Sequence, residues 1–239
     1  MLWSSKRMLG LKVAATDGPI GSIYDIYFED ESWSVRYVVV DTGGWLSGRR
    51  VLLSPHVFGE PDREESGVPK SMPASLTQEQ IRHSPSYDFE KPISLQYETE
   101  LAGYYTWPDP LSFSGFGMTP LPMPAVVPLA VHAAAAERMP GPHLRSIRDL
   151  FGYSIEVRGG GETGTAADFT IDDESWRIDR IVIETGTWLA GSKVAVPSAW
   201  SGKIRWSEQV IFLDVTKEDV EHAPEFDPQS QIQEPATRA

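Results

Sequence analysis

The side chains able to move protons or hold metal are five histidines, His56, His83, His132, His143 and His222, and 34 aspartates and glutamates. No His-x-x-x-His, Glu-x-x-His or Gly-x-Ser-x-Gly spacing gathers them for zinc ligation or an activated serine. Cysteine is absent, which removes thiol nucleophiles, disulfides and thiolate metal sites together. His83 and His222 fall at matching places, at the ends of two short predicted helices, where an imidazole can meet the last carbonyls. Their expected role is structural. Glu29-Asp30-Glu31 and Asp172-Asp173-Glu174 are rich in oxygen, as hard cations require. Each sits between two predicted strands, where polar turn residues are ordinary, and neither forms an Asp-x-Asp-x-Asp-Gly loop. They read as solvated turns, with weak cation binding as the alternative. Gly159-Gly160-Gly161, followed by Gly164, lacks the Gly-Lys-[Ser/Thr] of a phosphate loop and reads as a hairpin turn. No catalytic residue, metal site or cofactor is expected.

The elements that must carry these residues are short strands, and they come twice. Asp30-Glu31-Ser32-Trp33 returns as Asp173-Glu174-Ser175-Trp176, and Thr42-Gly43-Gly44-Trp45-Leu46-Ser47-Gly48 returns as Thr185-Gly186-Thr187-Trp188-Leu189-Ala190-Gly191 at the same spacing. Gly21 with Gly164 and Asp25 with Asp168 extend the series. Segments rich in β-branched and aromatic residues at Ser22 to Glu29, Val35 to Asp41 and Arg50 to Leu53 match Thr165 to Asp172, Ile178 to Glu184 and Lys193 to Val196. A last strand is expected at Gln209 to Val215, whereas the first copy offers only a loop or degraded strand between Phe58 and Ala74. Thr77 with Gln80, and Thr216 with Asp219, read as N-caps of one- or two-turn helices that Pro85 and Pro224 stop. Short connections favour antiparallel neighbours, and a small sheet hides its edges by curling into a barrel.

The fold class expected is mainly β, with two tandem small barrels at residues 1–90 and 143–228. Residues 91–142 form a joining segment and 229–239 a disordered tail. Within the joining segment, Ser94 to Tyr105 reads as a short helix with Leu95, Leu101, Tyr104 and Tyr105 as apolar contacts. Trp107 to Pro142 holds eight prolines and reads as a linker.

A formal charge of −13 repels phosphate backbones, so a nucleic-acid partner is disfavoured and proteins are the natural partners. The apolar run at the N-terminus is too short for a signal-peptide core. The most hydrophobic stretch, Ala125 to Ala136, falls short of the ~20 apolar residues of a spanning helix. A cytoplasmic location without an integral membrane segment is the expectation.

The repeated Gly-x-[Ile/Ala]-x-Asp strand, Asp-Glu-Ser-Trp turn and Thr-Gly-x-Trp-Leu-x-Gly segment, followed by Val-x-[Leu/Val] entering a Pro, resemble the PRC-barrel family over about residues 3 to 88 and 143 to 227. That fold is shared by the cytoplasmic domain of the photosynthetic reaction centre H subunit and the C-terminal domain of the ribosome maturation factor RimM. The resemblance implies a module that docks onto other macromolecules, in electron-transfer complexes or ribosome assembly, and implies no reaction. The sequence carries neither the membrane helix of the former nor the N-terminal domain of the latter, so no functional residue is carried over.

The leading expectation is a non-enzymatic protein-binding or scaffolding module, in the setting of a membrane or electron-transfer complex. Two alternatives stay open: a small-molecule enzyme or binder using a cleft between the barrels, and a self-assembling homo-oligomer. Trp45, Leu46, Trp188 and Leu189 follow a strand and a Thr-Gly turn, so bulky residues are offered on tight loops. They form a contact surface, between barrels or with a partner, or else plug the ends of their own barrels.

Overall fold

The computed structural model describes residues 1–63, 69–85, 87, 93, 95–105, 107, 144–186 and 192–227. The joining segment beyond Trp107 and the C-terminal tail lie outside these residues, as do His132 and His143. The described chain is mainly β and forms two sheets with the same internal order. In the first, β5 (Arg50–Leu53), β4 (Ser34–Asp41), β3 (Gly18–Glu29), β2 (Lys12–Ala15), β7 (Pro69–Pro73) and β6 (Asp62–Arg63) lie side by side. In the second, β12 (Lys193–Pro197), β11 (Ile178–Thr185), β10 (Glu162–Asp172), β9 (Ser154–Val157), β14 (Val210–Leu213) and β13 (Ser201–Arg205) follow the same path. The stretch between Phe58 and Ala74 retains two short strands in the first sheet.

The pairings of β3 with β4 and of β10 with β11 are bulged at matching places, first by Tyr24 or Ala167 in the long strand and then by Arg36 or Asp179 in its partner. Register shifts fall between Ile23 and Asp25 and between Tyr27 and Phe28 in one, and between Ala166 and Asp168 and between Thr170 and Ile171 in the other. Each extra residue kinks its strand and raises its twist, which curls the sheet. Among the described residues the curl stops short of a closed ring, since no pairing joins β5 to β6 or β12 to β13. Gly21 and Gly164 sit where these strands meet a neighbour closely. A Cβ there would overlap the carbonyl oxygen of Asp41 or of Glu184.

The leading strand of each sequence unit lies in the other unit's sheet. β1 (Leu2–Ser4) pairs with β10, placing Trp3 opposite Ile171, and β8 (Leu144–Ser146) pairs with β3, placing Arg145 opposite Phe28. Ser4 then caps the one-turn helix α1 (Ser5–Met8). The two sheets also meet along a seam: Val35 donates its N–H to the Trp176 carbonyl (2.8 Å) and Ile178 to the Trp33 carbonyl (2.8 Å). These bonds flank a bridge between Ser34 and Arg177. Trp33 and Trp176 hold left-handed backbone, φ 59° and 50°, which places each indole at the end of its turn. Trp33 stacks between Phe28 (5.3 Å) and Phe169 (6.3 Å), one from each sheet, so a single core runs through both.

Two further short helices, α2 (Gln78–Arg82) and α4 (Lys217–Glu221), have the full capping box at Thr77/Gln80 and Thr216/Asp219. Helix α3 (Leu95–Tyr105) lies on the outer face of the first sheet, where Leu101 and Ile93 cluster with Tyr37, Val39 and Leu52. On the outer face of the second sheet the equivalent cluster is small, with Ala167, Val182 and Ala195 covered by Phe226.

Candidate functional site

Of the four loop residues expected to form a contact surface, Trp188 and Leu189 lie outside the described residues, as does the side chain of Trp45. The backbone of Trp45 and Leu46 runs in a 3-10 turn, Gly43–Leu46, between β4 and β5. Gly43 and Gly48, with φ of 54° and 73°, close that turn through a Gly48 N–H donated to the Gly43 carbonyl (2.6 Å), and Leu46 is half-buried.

The seam carries two of the concave surfaces among the described residues. A cavity of about 430 Å³ opens between the two halves, with Trp3, Met8, Phe58, Met72 and Trp176 in its wall and the carboxylates of Glu60, Asp173 and Glu174 beside them. A smaller one, about 130 Å³, lies on the other side of Trp176 and is bordered by Arg36, Ser54, His56 and Ser175. The larger wall is mixed: its thioether, indole and phenyl surface takes up apolar matter by burial, and the carboxylates beside it offer polar contacts.

The buried carboxylates belong instead to the interlock. Asp25 in β3 accepts from the Ser146 hydroxyl of the exchanged strand β8 (2.7 Å) and from the Ile26 N–H (2.7 Å). Its counterpart Asp168 in β10 accepts from Ser4, which ends β1, from the Ser5 hydroxyl (2.8 Å), and from the N–H groups of Lys6 (3.1 Å) and Phe169 (2.8 Å). Ser4 and Ser146 each pass the contact on, because their hydroxyls accept the N–H of Arg7 (3.2 Å) and of Arg148 (3.1 Å). The same chemistry therefore clamps both exchanged strands.

Burial pushes the Asp25 carboxyl up from 3.8 to about 6, against the opposing pull of its Ser146 and backbone hydrogen bonds. The unfolded chain lacks that burial, so between those two values the folded chain binds the proton more tightly. Stability therefore falls as pH rises through this window, is spared the penalty below it, and bears all of it above. The size is about 3 kcal/mol at 1.36 kcal/mol per pKa unit. An asparagine side chain would imitate the protonated acid, so the stability gap between Asp25→Asn and the parent should move by about that amount in favour of the variant from pH 3.5 to pH 7. Urea titrations across this range read the gap; a gap independent of pH would contradict an ionised, buried Asp25.

The acidic turns are engaged, Asp30 with a group of the other sheet and Asp173 with the exchanged strand β1. Asp30 accepts from the Trp206 indole (3.1 Å) and pairs with Arg145 (3.3 Å), and Asp173 accepts from the Trp3 indole (3.3 Å) and pairs with the N-terminal amine. Glu29 and Asp172 bind the Ser32 and Ser175 hydroxyls of their own turns (both 2.6 Å). Among the described residues no three His, Asp or Glu side chains gather as a metal site. His83 and His222 lie at the C-caps of α2 and α4, with Nδ1 at 3.1 Å from the Glu79 carbonyl and 2.6 Å from the Glu218 carbonyl. Gly159, Gly160 and Gly161 turn between β9 and β10 with φ of 87°, 84° and 100°.

Sequence reasoning did not single out Ser4, Ser5, Ser146 or Glu98. The serines carry no local signal, since their acceptors lie in another part of the chain. Glu98 on α3 is fully buried, accepts from the Tyr37 hydroxyl (3.0 Å) and faces Arg36 at 3.5 Å.

The PRC-barrel domain family model matches residues 4–63. An uncharacterized protein of Deinococcus radiodurans is 36% identical over 77 residues, which is 32% of this chain. The matched stretch spans 26% of that relative's own length.

Proposed function

From the premise that this chain carries a PRC-barrel domain at residues 4–63, we propose that it is a non-enzymatic binding module in which two PRC-type barrels present one composite surface to a protein partner. The observation that carries this reading is the reciprocal clamp. Asp25 and Asp168, buried and chemically distinctive, are committed to holding exchanged strands. The clamp makes the two units a single platform, and an acidic surface on such a platform suits a basic protein partner. The Trp45-Leu46 and Trp188-Leu189 loops supply apolar anchors of the kind that dominate interfaces.

The test is chemical cross-linking of the full chain to proteins of its native source, with mass spectrometry of the linked peptides. The expected result is one partner cross-linked near these loops. Trp45→Ala with Trp188→Ala should lower its recovery at least tenfold while the thermal midpoint stays close to that of the parent. A stability lowered by several kcal/mol, about what loss of two buried aromatics costs, would mark the tryptophans as plugs of their own barrels.

A second reading draws on the seam cavity of about 430 Å³, a volume in the range of small-molecule sites. A compound retained one-to-one in native mass spectra, and expelled by Met72→Trp, would favour it over the protein-binding reading.

A further inference from the structure

The second sheet has a groove on its outer face that matches, position for position, the seat of α3 on the first. Around α3, Glu98 meets Arg36 and Tyr37 of β4, and Leu101 clusters with Leu52 of β5. On its other flank the Tyr104 hydroxyl donates to the Gln80 carbonyl (2.8 Å) of α2, and the Tyr97 hydroxyl to the Pro85 carbonyl (3.2 Å) just after it. The repeat places Asp179, Arg180 and Ala195 where Arg36, Tyr37 and Leu52 stand, and the two capping boxes place Asp219 and Pro224 where Gln80 and Pro85 stand. Those five residues, with Trp200, border an open groove of about 600 Å³ between β11, β12 and α4.

The register supports the match. Val38 pairs with Leu53 in the first sheet as Ile181 pairs with Val196 in the second. Phe226 packs on Val182 and Ala195 as Tyr87 packs on the cluster of their counterparts Val39 and Leu52. The open part runs from Asp179 past Trp200 to Ala223 and Pro224, with Ala195 buried at its base.

The charge differs as well. Where the first sheet offers Arg36 to a carboxylate, the second offers Asp179, and Glu218 and Asp219 stand on the α4 side. Arg180 is turned to Asp179 at 3.2 Å, which leaves the groove with three carboxylates against one guanidinium. An acidic helix such as α3 from a second copy of this chain is repelled here; a basic one is attracted.

We propose that this groove seats a short, basic amphipathic helix of a protein partner, in the manner in which α3 is seated on the first sheet. The proposal rests on the protein-binding reading and adds the chemistry of what is bound. Its apolar face would lie over Trp200, Ala223 and Pro224, and its cations would face Asp179 and the α4 carboxylates, as helix-in-groove recognition requires.

The probe is a fluorescein-labelled peptide with the sequence of Leu95–Tyr105, carrying Glu98→Lys to face Asp179 and Tyr104→Arg to face Asp219. A hydrocarbon staple joins positions 99 and 103, both exposed in α3, so that helicity is fixed beforehand. Fluorescence anisotropy against the full chain should give saturable binding at least tenfold tighter than for the same stapled peptide with the native residues. In full-length protein carrying Asp179→Lys and Glu218→Lys, both exposed, that order should reverse. Amide and indole shifts should fall on Ala195, Trp200 and Ala223. No saturable binding of the basic peptide, or an order indifferent to charge reversal, overturns the proposal. Shifts at the seam or at the β4–β5 turn overturn the groove and leave the protein-binding reading standing. Failure of that reading has its own signature, a protein that cross-links to no partner while retaining a small molecule.

Discussion

Produced separately, residues 1–107, which keep α3, and residues 143–228 should each fail to give a cooperative fold, and mixing them in equal amounts should restore one. Each fragment leaves with a strand that belongs to the other. The first lacks β8, so Asp25 loses the Ser146 hydroxyl, and the second lacks β1, so Asp168 loses both Ser4 and Ser5. An aspartate left buried without its donors is penalised by about 1–3 kcal/mol. The core is divided too, because Trp33 stacks on Phe28 of its own sheet and Phe169 of the other. Uncovering a few such side chains, at roughly 1.5–3 kcal/mol each, removes much of the roughly 5–15 kcal/mol by which a domain of ordinary stability stays folded. Circular dichroism melts and amide dispersion of each fragment, alone and mixed, read the result. A cooperative melt from either fragment alone would mean that strand exchange is dispensable.

Glu98→Ala should destabilise the full chain by about 3–5 kcal/mol, the usual consequence of removing one partner from a buried ion pair. Burial raises the Glu98 carboxyl above the ordinary glutamate value, and the Arg36 guanidinium beside it pulls the other way. With alanine there, the guanidinium of Arg36, itself 7% exposed, loses this carboxylate, and the Tyr37 hydroxyl loses its acceptor. Helix α3 should then leave the sheet first, which would show as faster amide exchange in Leu95–Tyr105 than in β3. Glu98→Gln keeps an acceptor for Tyr37 and should lose less. Equal losses from the two variants would assign the effect to charge alone, and an unchanged denaturation midpoint in Glu98→Ala would contradict the pair's role in seating α3.

The sequence was most legible where a local rule suffices. Thr77 with Gln80, and Thr216 with Asp219, specify capping boxes within four residues, and both are formed. The doubled Gly-x-[Ile/Ala]-x-Asp and Asp-Glu-Ser-Trp motifs correspond to matched strands and turns with the same bulges. Helix α3 follows its expected span, with Leu101 buried, while Tyr104 remains 40% exposed. The exchange of β1 and β8 was not legible, because three-residue strands carry no periodicity and the sheet they join is chosen by partners far along the chain. Glu98 was not singled out for a related reason: a glutamate on a short helix carries no local sign of burial until its facing residues, Arg36 and Tyr37, are known. The acidic turns were read as solvated on the same grounds, although Asp30 reaches the Trp206 indole across the seam and Asp173 the Trp3 indole of the exchanged strand. For Trp45 and Trp188 the local pattern allows both a docking loop and a barrel plug, and only packing distinguishes them.

The bridge between Ser34 and Arg177 occupies equivalent positions of the two repeats. In a homodimer of one identical unit, that spot would lie on the two-fold axis and face its own copy, arginine against arginine or serine against serine. Like charges directly opposed across antiparallel strands are destabilising, so a symmetric assembly could not place arginine there without penalty. Joining both units in one chain lifts that constraint, as it does for Arg36 and Asp179 on the outer faces. Covalent linkage thereby lets a two-fold architecture have one side filled by its own helix and the other charged differently and open.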